Sequence, residues 1–125
     1  MVATAVVAIA LAATLAAPAR ASDDRVRRRG ECTGGPSEWE LIVRRESASK
    51  LRVRWEIDGG AAGQTWQLFI SDNGYHVFAG SKTSKDGGEV RVRREIDDRA
   101  GDDLIKATGV NLATGESCGG SLTYR

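Results

Sequence analysis

The sequence predicts an all-β sandwich of seven short antiparallel strands, and three observations predict it. Apolar and polar residues alternate with a period of two. In Lys50-Leu51-Arg52-Val53-Arg54-Trp55-Glu56-Ile57-Asp58 every odd residue is apolar and every even one charged, as a strand with one dry and one wet face requires. Glycine-bearing turns recur at short intervals: Gly59-Gly60, Asn73-Gly74, Gly87-Gly88 and Thr114-Gly115. No stretch shows a sustained apolar stripe at helical spacing.

Ahead of the strands stands an expected export signal. Residues 1–21 hold 17 apolar residues and a single charge, Arg20. The run Ala3 to Ala17 is short for a bilayer span but suits a signal-peptide core, and Ala19 and Ala21 offer small residues for cleavage after Ala21. No Lys or Arg precedes the core, so the true translation start stays open, and an uncleaved anchor helix is the competing reading. No cysteine at the cut could carry a lipid and no second apolar run follows. The expectation is a secreted, extracellular protein without a stable membrane anchor.

Without the leader the chain carries 17 basic and 17 acidic side chains. A neutral domain has no general electrostatic reason to hold nucleic acid or an anionic membrane. Residues 22–30, with Arg25, Arg27, Arg28 and Arg29, contain almost nothing apolar and read as a disordered basic arm. That arm is either a spacer or a contact for acidic wall polymers and phosphates. The folded domain is then 31–125.

Cys32 and Cys118 lie near the two ends of that domain, and in an exported protein the pair predicts one disulfide. Closing so long a loop contributes on the order of 4–5 kcal/mol in the chain-entropy model. The cysteine spacing and the single histidine, His76, do not make a Cys/His metal site.

The first predicted strand, 37–45, turns Trp39, Leu41 and Val43 inward and leaves Ile42 on its polar side. The second is 50–58. The third, 64–72, alternates Trp66, Leu68 and Ile70 against Phe69. Asn73-Gly74 joins it to the fourth, 75–82, because a tight primed turn needs positive φ at both central residues. The fifth, 88–96, repeats the alternation of the second with a lapse at Arg94, and 103–112 and 117–124 complete the set.

Gly101-Asp102-Asp103-Leu104-Ile105-Lys106-Ala107-Thr108-Gly109-Val110-Asn111, followed by Thr114-Gly115-Glu116, resembles the penultimate strand of bacterial immunoglobulin-like domains. Those read Gly-x-Asp-x-Ile-x-Ala-x-Ala-x-Asn before a glycine turn. The match covers about a fifth of the chain after the leader. The resemblance implies an immunoglobulin-like sandwich in which Ile105, Ala107 and Gly109 point inward and Asp103 ties down the turn entering the strand. Gly109 stands where the pattern has alanine, a small change. Immunoglobulin domains place their disulfide between the second and sixth strands, behind a tryptophan on the third. Here Trp66 does fall on the third predicted strand, but the cysteines flank the first and sit in the last. The departure favours a fibronectin-III-like or bacterial variant whose bridge staples the chain ends. The layout is also similar to small single-domain proteins exported by actinobacteria, most of them uncharacterised, and 14 arginines against four lysines suit such a GC-rich genome.

Catalysis by a nucleophile needs a base and an orienting group, and His76, alternating with Tyr75 and Val77 on a wet strand face, is the sole base candidate. Asp97, Asp98, Asp102 and Asp103 flank the turn Arg99-Ala100-Gly101. They could serve glycoside hydrolysis only in a cleft that a small sandwich hardly offers. As a calcium site they are a weak alternative, since Asp-x-Asp alternation is missing; capping turns and pairing with arginine is the plainer role. No cofactor and no metal is expected. Arg52, Arg54, Arg91 and Arg93 fall on the polar faces of two strands and would form a basic stripe for sulfated or phosphorylated sugars if those strands are neighbours. Glu56, Glu89 and Glu95 share those faces and offer cross-strand ion pairs instead. Phe69 and Phe78 break the alternation. If both face outward across the hairpin they form a patch for a partner or hydrophobic ligand, and if covered they belong to the core.

These readings converge on a monomeric, secreted, non-catalytic binding module, not an enzyme, that recognises an extracellular protein or glycan. One alternative is an inhibitor of an extracellular hydrolase that presents Gly59 to Gln64 or Ser81 to Gly88 as a rigid loop. The other is a small-molecule carrier similar to the exported enediyne-binding sandwiches, which carry two disulfides where this chain has cysteines for one.

Overall fold

A computed structural model describes residues 24–125; the expected leader and residues 22 and 23 lie outside the described residues. Eight strands form: β1 (Arg25–Glu31), β2 (Glu38–Arg45), β3 (Lys50–Asp58), β4 (Thr65–Asp72), β5 (Tyr75–Thr83), β6 (Val90–Asp97), β7 (Asp103–Asn111) and β8 (Ser117–Tyr124). A 3-10 turn, Asp86–Gly88, sits between β5 and β6. Two four-stranded antiparallel sheets result, in the orders β1-β2-β3-β6 and β5-β4-β7-β8.

The alternation places each of the seven predicted strands within two residues of its observed ends. The count is nevertheless eight, because the basic segment expected to be a disordered arm is strand β1. It pairs with β2 from Arg25 opposite Arg44 to Glu31 opposite Glu38. Its inward side consists of Val26, Arg28 and Gly30, so one apolar side chain is all that reaches the core. An edge strand held by backbone hydrogen bonds to a long neighbour can form on so little apolar surface, and composition alone hides it.

The core lies between the sheets. Leu41, Leu51, Trp55 and Ile57 from one sheet meet Trp66, Leu68, Ile70 and Ile105 from the other, all fully buried. Gly109, read from the sequence as a small change from alanine, sits at a crowded point of the core. A Cβ there would lie 2.6 Å from Ile57 Cδ1 and 3.0 Å from Leu68 Cδ2.

The two long sides of the sandwich close by different means. Where β1 meets β8, the Trp39 indole slots between Gly30 and Gly120, at each of which a Cβ would approach the ring to 2.6 Å or less. The predicted disulfide Cys32–Cys118 lies along the same side. Thr33 and Ser117 exchange backbone hydrogen bonds of 2.7 and 3.0 Å beside it. Buried Glu116 accepts hydrogen bonds from the Ser37 amide (2.7 Å) and hydroxyl (2.8 Å). The side where β5 meets β6 is closed by Phe78 and Arg94. Arg94 pairs with Val53 and so occupies an inward position, which explains its lapse from the alternation; its guanidinium lies over the Phe78 ring.

Candidate functional site

The outer face of β1-β2-β3-β6 carries most of the ion pairs among the described residues. Antiparallel register sorts its outward residues into rows across the strands. Arg25, Arg44, Arg52 and Glu95 make the first row, and Arg27, Ile42, Arg54 and Arg93 the second. Arg29, Glu40, Glu56 and Arg91 form the third, and Glu31, Glu38 and Asp58 the fourth. Each step is two residues along a strand, so the face is basic at one end, balanced in the middle and acidic at the other.

The third row is an ion-pair network. Glu40 accepts from Arg29 Nε at 2.6 Å and from Arg54 at 3.1 Å, and Glu56 accepts from Arg91 Nε at 3.1 Å. Burial alone would raise the Glu40 carboxyl, but the hydrogen bonds from Arg29 and Arg54 and the charges of Arg29 and Arg27 outweigh it and hold the group below the usual carboxylate range. The hydrogen bond to Glu56, then its charge, pushes the Arg91 guanidinium up.

In the first two rows the arginines outnumber their partners. Arg25, Arg44, Arg52, Arg54 and Arg93 surround Ile42 and line a depression of about 250 Å³. Arg52 and Arg44 share Glu46, whereas Arg25 and Arg93 have no carboxylate within ion-pair distance among the described residues. Ile42 faces outward yet is only 5% exposed, because arginine side chains cover it. Five guanidiniums around one apolar floor suit a ligand with several anionic groups on a short apolar body.

Of the predicted stripe, the structure thus brings together Arg52, Arg54 and Arg93. Arg91 lies on the same face but is engaged by Glu56 and Glu89, outside the arginine-lined depression. Sequence reasoning missed Arg25 and Arg44. Arg44 occupies the same alternating side as Ile42 and was discoverable from that; Arg25 required β1 to be recognised as a strand.

The aromatic patch does not form. Phe69 pairs with Ala79 and Thr108 on the outer face of β4, half-buried, with the His76 ring 6.2 Å away. Phe78 pairs with inward-facing Ile70 and packs on the core. A bulge between Ile70 and Ser71 gives β5 one extra residue and reverses its alternation, so Val77 and Phe78 both turn inward while His76 stays outside and exposed.

The four aspartates proposed for calcium are divided. Asp97 is held by Lys50, whose hydrogen bond lowers its carboxyl, and Asp98 by Arg45 at 2.8 Å, again with a lowered carboxyl. Asp102 is exposed, 3.9 Å from Arg125. Asp103 is buried, and instead of tying down the turn by accepting a hydrogen bond it lies against Asp72 and Asp98. The turn is held by Asn73, whose Oδ1 accepts from the Leu104 amide at 2.8 Å and whose Nδ2 donates to the Asp102 carbonyl at 3.0 Å. Burial first, then Asp72 and Asp98, push the Asp103 carboxyl up to about 7. Among the described residues no three His, Cys, Asp or Glu side chains are placed to hold one metal ion.

The two candidate inhibitor loops form one unit. Gly59 donates to the Gly87 carbonyl, Gly63 to the Ser84 carbonyl, and the Ser84 hydroxyl to the Ala61 carbonyl, each at 2.8 Å. No helix among the described residues is long and apolar enough to cross a membrane. Comparison with protein-family models, with curated proteins and with solved structures finds no match.

Proposed function

We propose that this chain is a secreted, non-catalytic binding module that holds an anionic extracellular glycan on the outer face of β1-β2-β3-β6. One observation carries the reading: Arg25, Arg44, Arg52, Arg54 and Arg93 converge on one depression, in excess of the carboxylates that reach them. Sulfate and phosphate esters pair with guanidinium by two parallel hydrogen bonds, and a sugar ring supplies apolar faces for the Ile42 floor. The disulfide suits an oxidising compartment. A non-catalytic role is supported by His76, which stands exposed on the outer side of β5, opposite Ser71, while Asp72 and Asp103 are buried.

We also propose kinship with fibronectin-III-like sandwiches, with β1 added at an edge. The support is the order β2-β3-β6 over β5-β4-β7-β8, together with Ile105, Ala107 and Gly109 facing the core of β7.

Immobilised heparin, a sulfated glycan, tests the function. The protein should bind it with an affinity that falls steeply as salt rises, and Arg54→Ala combined with Arg93→Ala should weaken binding about tenfold or more. Equal binding by the variant, or no binding at low salt, overturns the reading. The inhibitor alternative rests on the laced segments 59–64 and 81–88, the second of which begins inside β5, and loss of activity from one member of a hydrolase panel at stoichiometric protein would favour it.

A further inference from the structure

The charge on the β1-β2-β3-β6 face is graded along the strands, and every strand but the last shows the same polarity. β1 runs from Arg25 to Glu31, β2 from Arg44 back to Glu38, and β3 from Arg52 to Asp58. Such a face is self-complementary in one orientation. We propose that two copies of this chain dock through it, sheet to sheet, about a two-fold axis lying between the sheets and running across the strands, in departure from the monomer that the sequence suggests.

That operation keeps each strand over its own counterpart and reverses its direction. Arg25 then lies over the partner's Glu31, Arg44 over the partner's Glu38, and Arg52 over the partner's Asp58. In the middle rows Arg54 meets the partner's Glu56, but Arg54 is held by Glu40 and Glu56 by Arg91 within each chain, so the attraction between copies comes from the end rows. Arg27 and Arg93 would face the partner's Arg29 and the partner's Arg91, but Arg29 and Arg91 are each already engaged by Glu40 or Glu56 of their own chain. A two-fold axis along the strands would instead set basic rows on basic rows, so the gradient selects the antiparallel arrangement.

Four strands about 4.8 Å apart and seven residues of about 3.3 Å each give a face of roughly 19 by 23 Å. Two such faces bury about 900 Å² in all, below the roughly 1,000 Å² of a stable specific interface and in the range of weak, transient ones. With charge as its main attraction, the dimer is weak and salt-sensitive. The inference does not rest on the glycan reading, although both use Arg44 and Arg52 and a polyanion would compete with the second copy.

Light scattering coupled to size-exclusion chromatography of the purified protein tests it, at about 20 mM and about 500 mM salt. Twice the chain mass is expected at low salt and the chain mass at high salt. Arg44→Glu with Arg52→Glu leaves both ends acidic, and Glu38→Arg with Asp58→Arg leaves both ends basic. Each variant, folded by circular dichroism, should run as a monomer at low salt, and an equimolar mixture of the two should recover the dimer mass. A monomeric native protein at low salt, a dimer indifferent to the reversals, or a mixture that stays monomeric overturns the proposal. If heparin binds while the native protein stays monomeric, only the dimer is lost.

Discussion

Arg94 holds its guanidinium carbon 5.3 Å from the centroid of the Phe78 ring, across the side of the sandwich where β6 faces β5. The contact covers the one long side that lacks a disulfide, and it shows that Phe78 belongs to the core.

Replacing the two phenylalanines should therefore give unequal results. Phe78→Ser should cost about 2–3 kcal/mol, as a partly buried aromatic replaced by a small polar residue. Phe69→Ser, on the outer face, should cost less than about 1 kcal/mol. Arg94→Ala should cost about 0.5–1 kcal/mol. Urea unfolding of the three variants checks the ranking, and equal losses for both phenylalanines would contradict the assignment.

Asp103 makes a pH-dependent prediction of definite sign. Its folded value of about 7 lies above its ordinary 3.8, so the native state keeps a proton that the unfolded chain releases. That contribution is full below about pH 4, is lost as pH rises to about 7, and is constant above. Asp97, Asp98 and Glu40, all lowered, act oppositely: they stabilise above their ordinary values and lose that effect in acid. Thermal stability should peak in mild acid. Asp103→Asn should remove the decline between about pH 4 and 7 and gain on the order of 1–2 kcal/mol at pH 8. A decline that persists unchanged in Asp103→Asn would show that the buried Asp103 carboxyl is not its source.

Gly109→Ala tests how literally the sequence resemblance of β7 to the penultimate strand of immunoglobulin-like domains can be taken. The pattern there has alanine, but in this sandwich a methyl group would press on Ile57 and Leu68. A loss of about 1–3 kcal/mol is expected. The comparison is Gly119→Ala, where a Cβ meets nothing within 4 Å and the effect should be small.

The disulfide spans 86 residues of sequence. Cys32→Ser with Cys118→Ser should cost about 4–5 kcal/mol in the chain-entropy model, a large part of the net stability of a domain of this size. Guanidinium unfolding of the native and doubly substituted protein measures it, and a cost under about 1 kcal/mol would show that β1 and β8 are held by packing alone.

Most of the fold was legible because burial on one face imposes a period of two that the sequence cannot hide. Seven strands followed from it, and the terminal disulfide followed separately from two cysteines behind an expected export signal. β1 escaped because an edge strand needs little apolar surface, and Val26 is the only apolar side chain on its inward side. The outward-facing phenylalanine pair failed for a local reason: one bulge in β5 shifts the alternation, and nothing in Tyr75-His76-Val77-Phe78 marks which residue is the extra one. Three arginines of the depression were readable from alternation on β3 and β6. Their convergence with Arg25 and Arg44 depends on a sheet order that joins β3 to β6 across two strands of the other sheet, and local pattern does not encode that.

The closure of the sandwich between β1 and β8 also has a mechanical consequence. The Tyr124 hydroxyl donates to the Asp24 carbonyl at 2.9 Å, so the two strands run in opposite directions and the first described residue sits beside the last strand's end. A pull on both ends would peel β1 and β8 away, starting from Asp24 and Tyr124. Peeling stops at Cys32 and Cys118, where load passes through sulfur and bypasses every residue between them. Tethered at both ends, the domain would lengthen by two short strands and no further, with β2 to β7 carrying none of the tension.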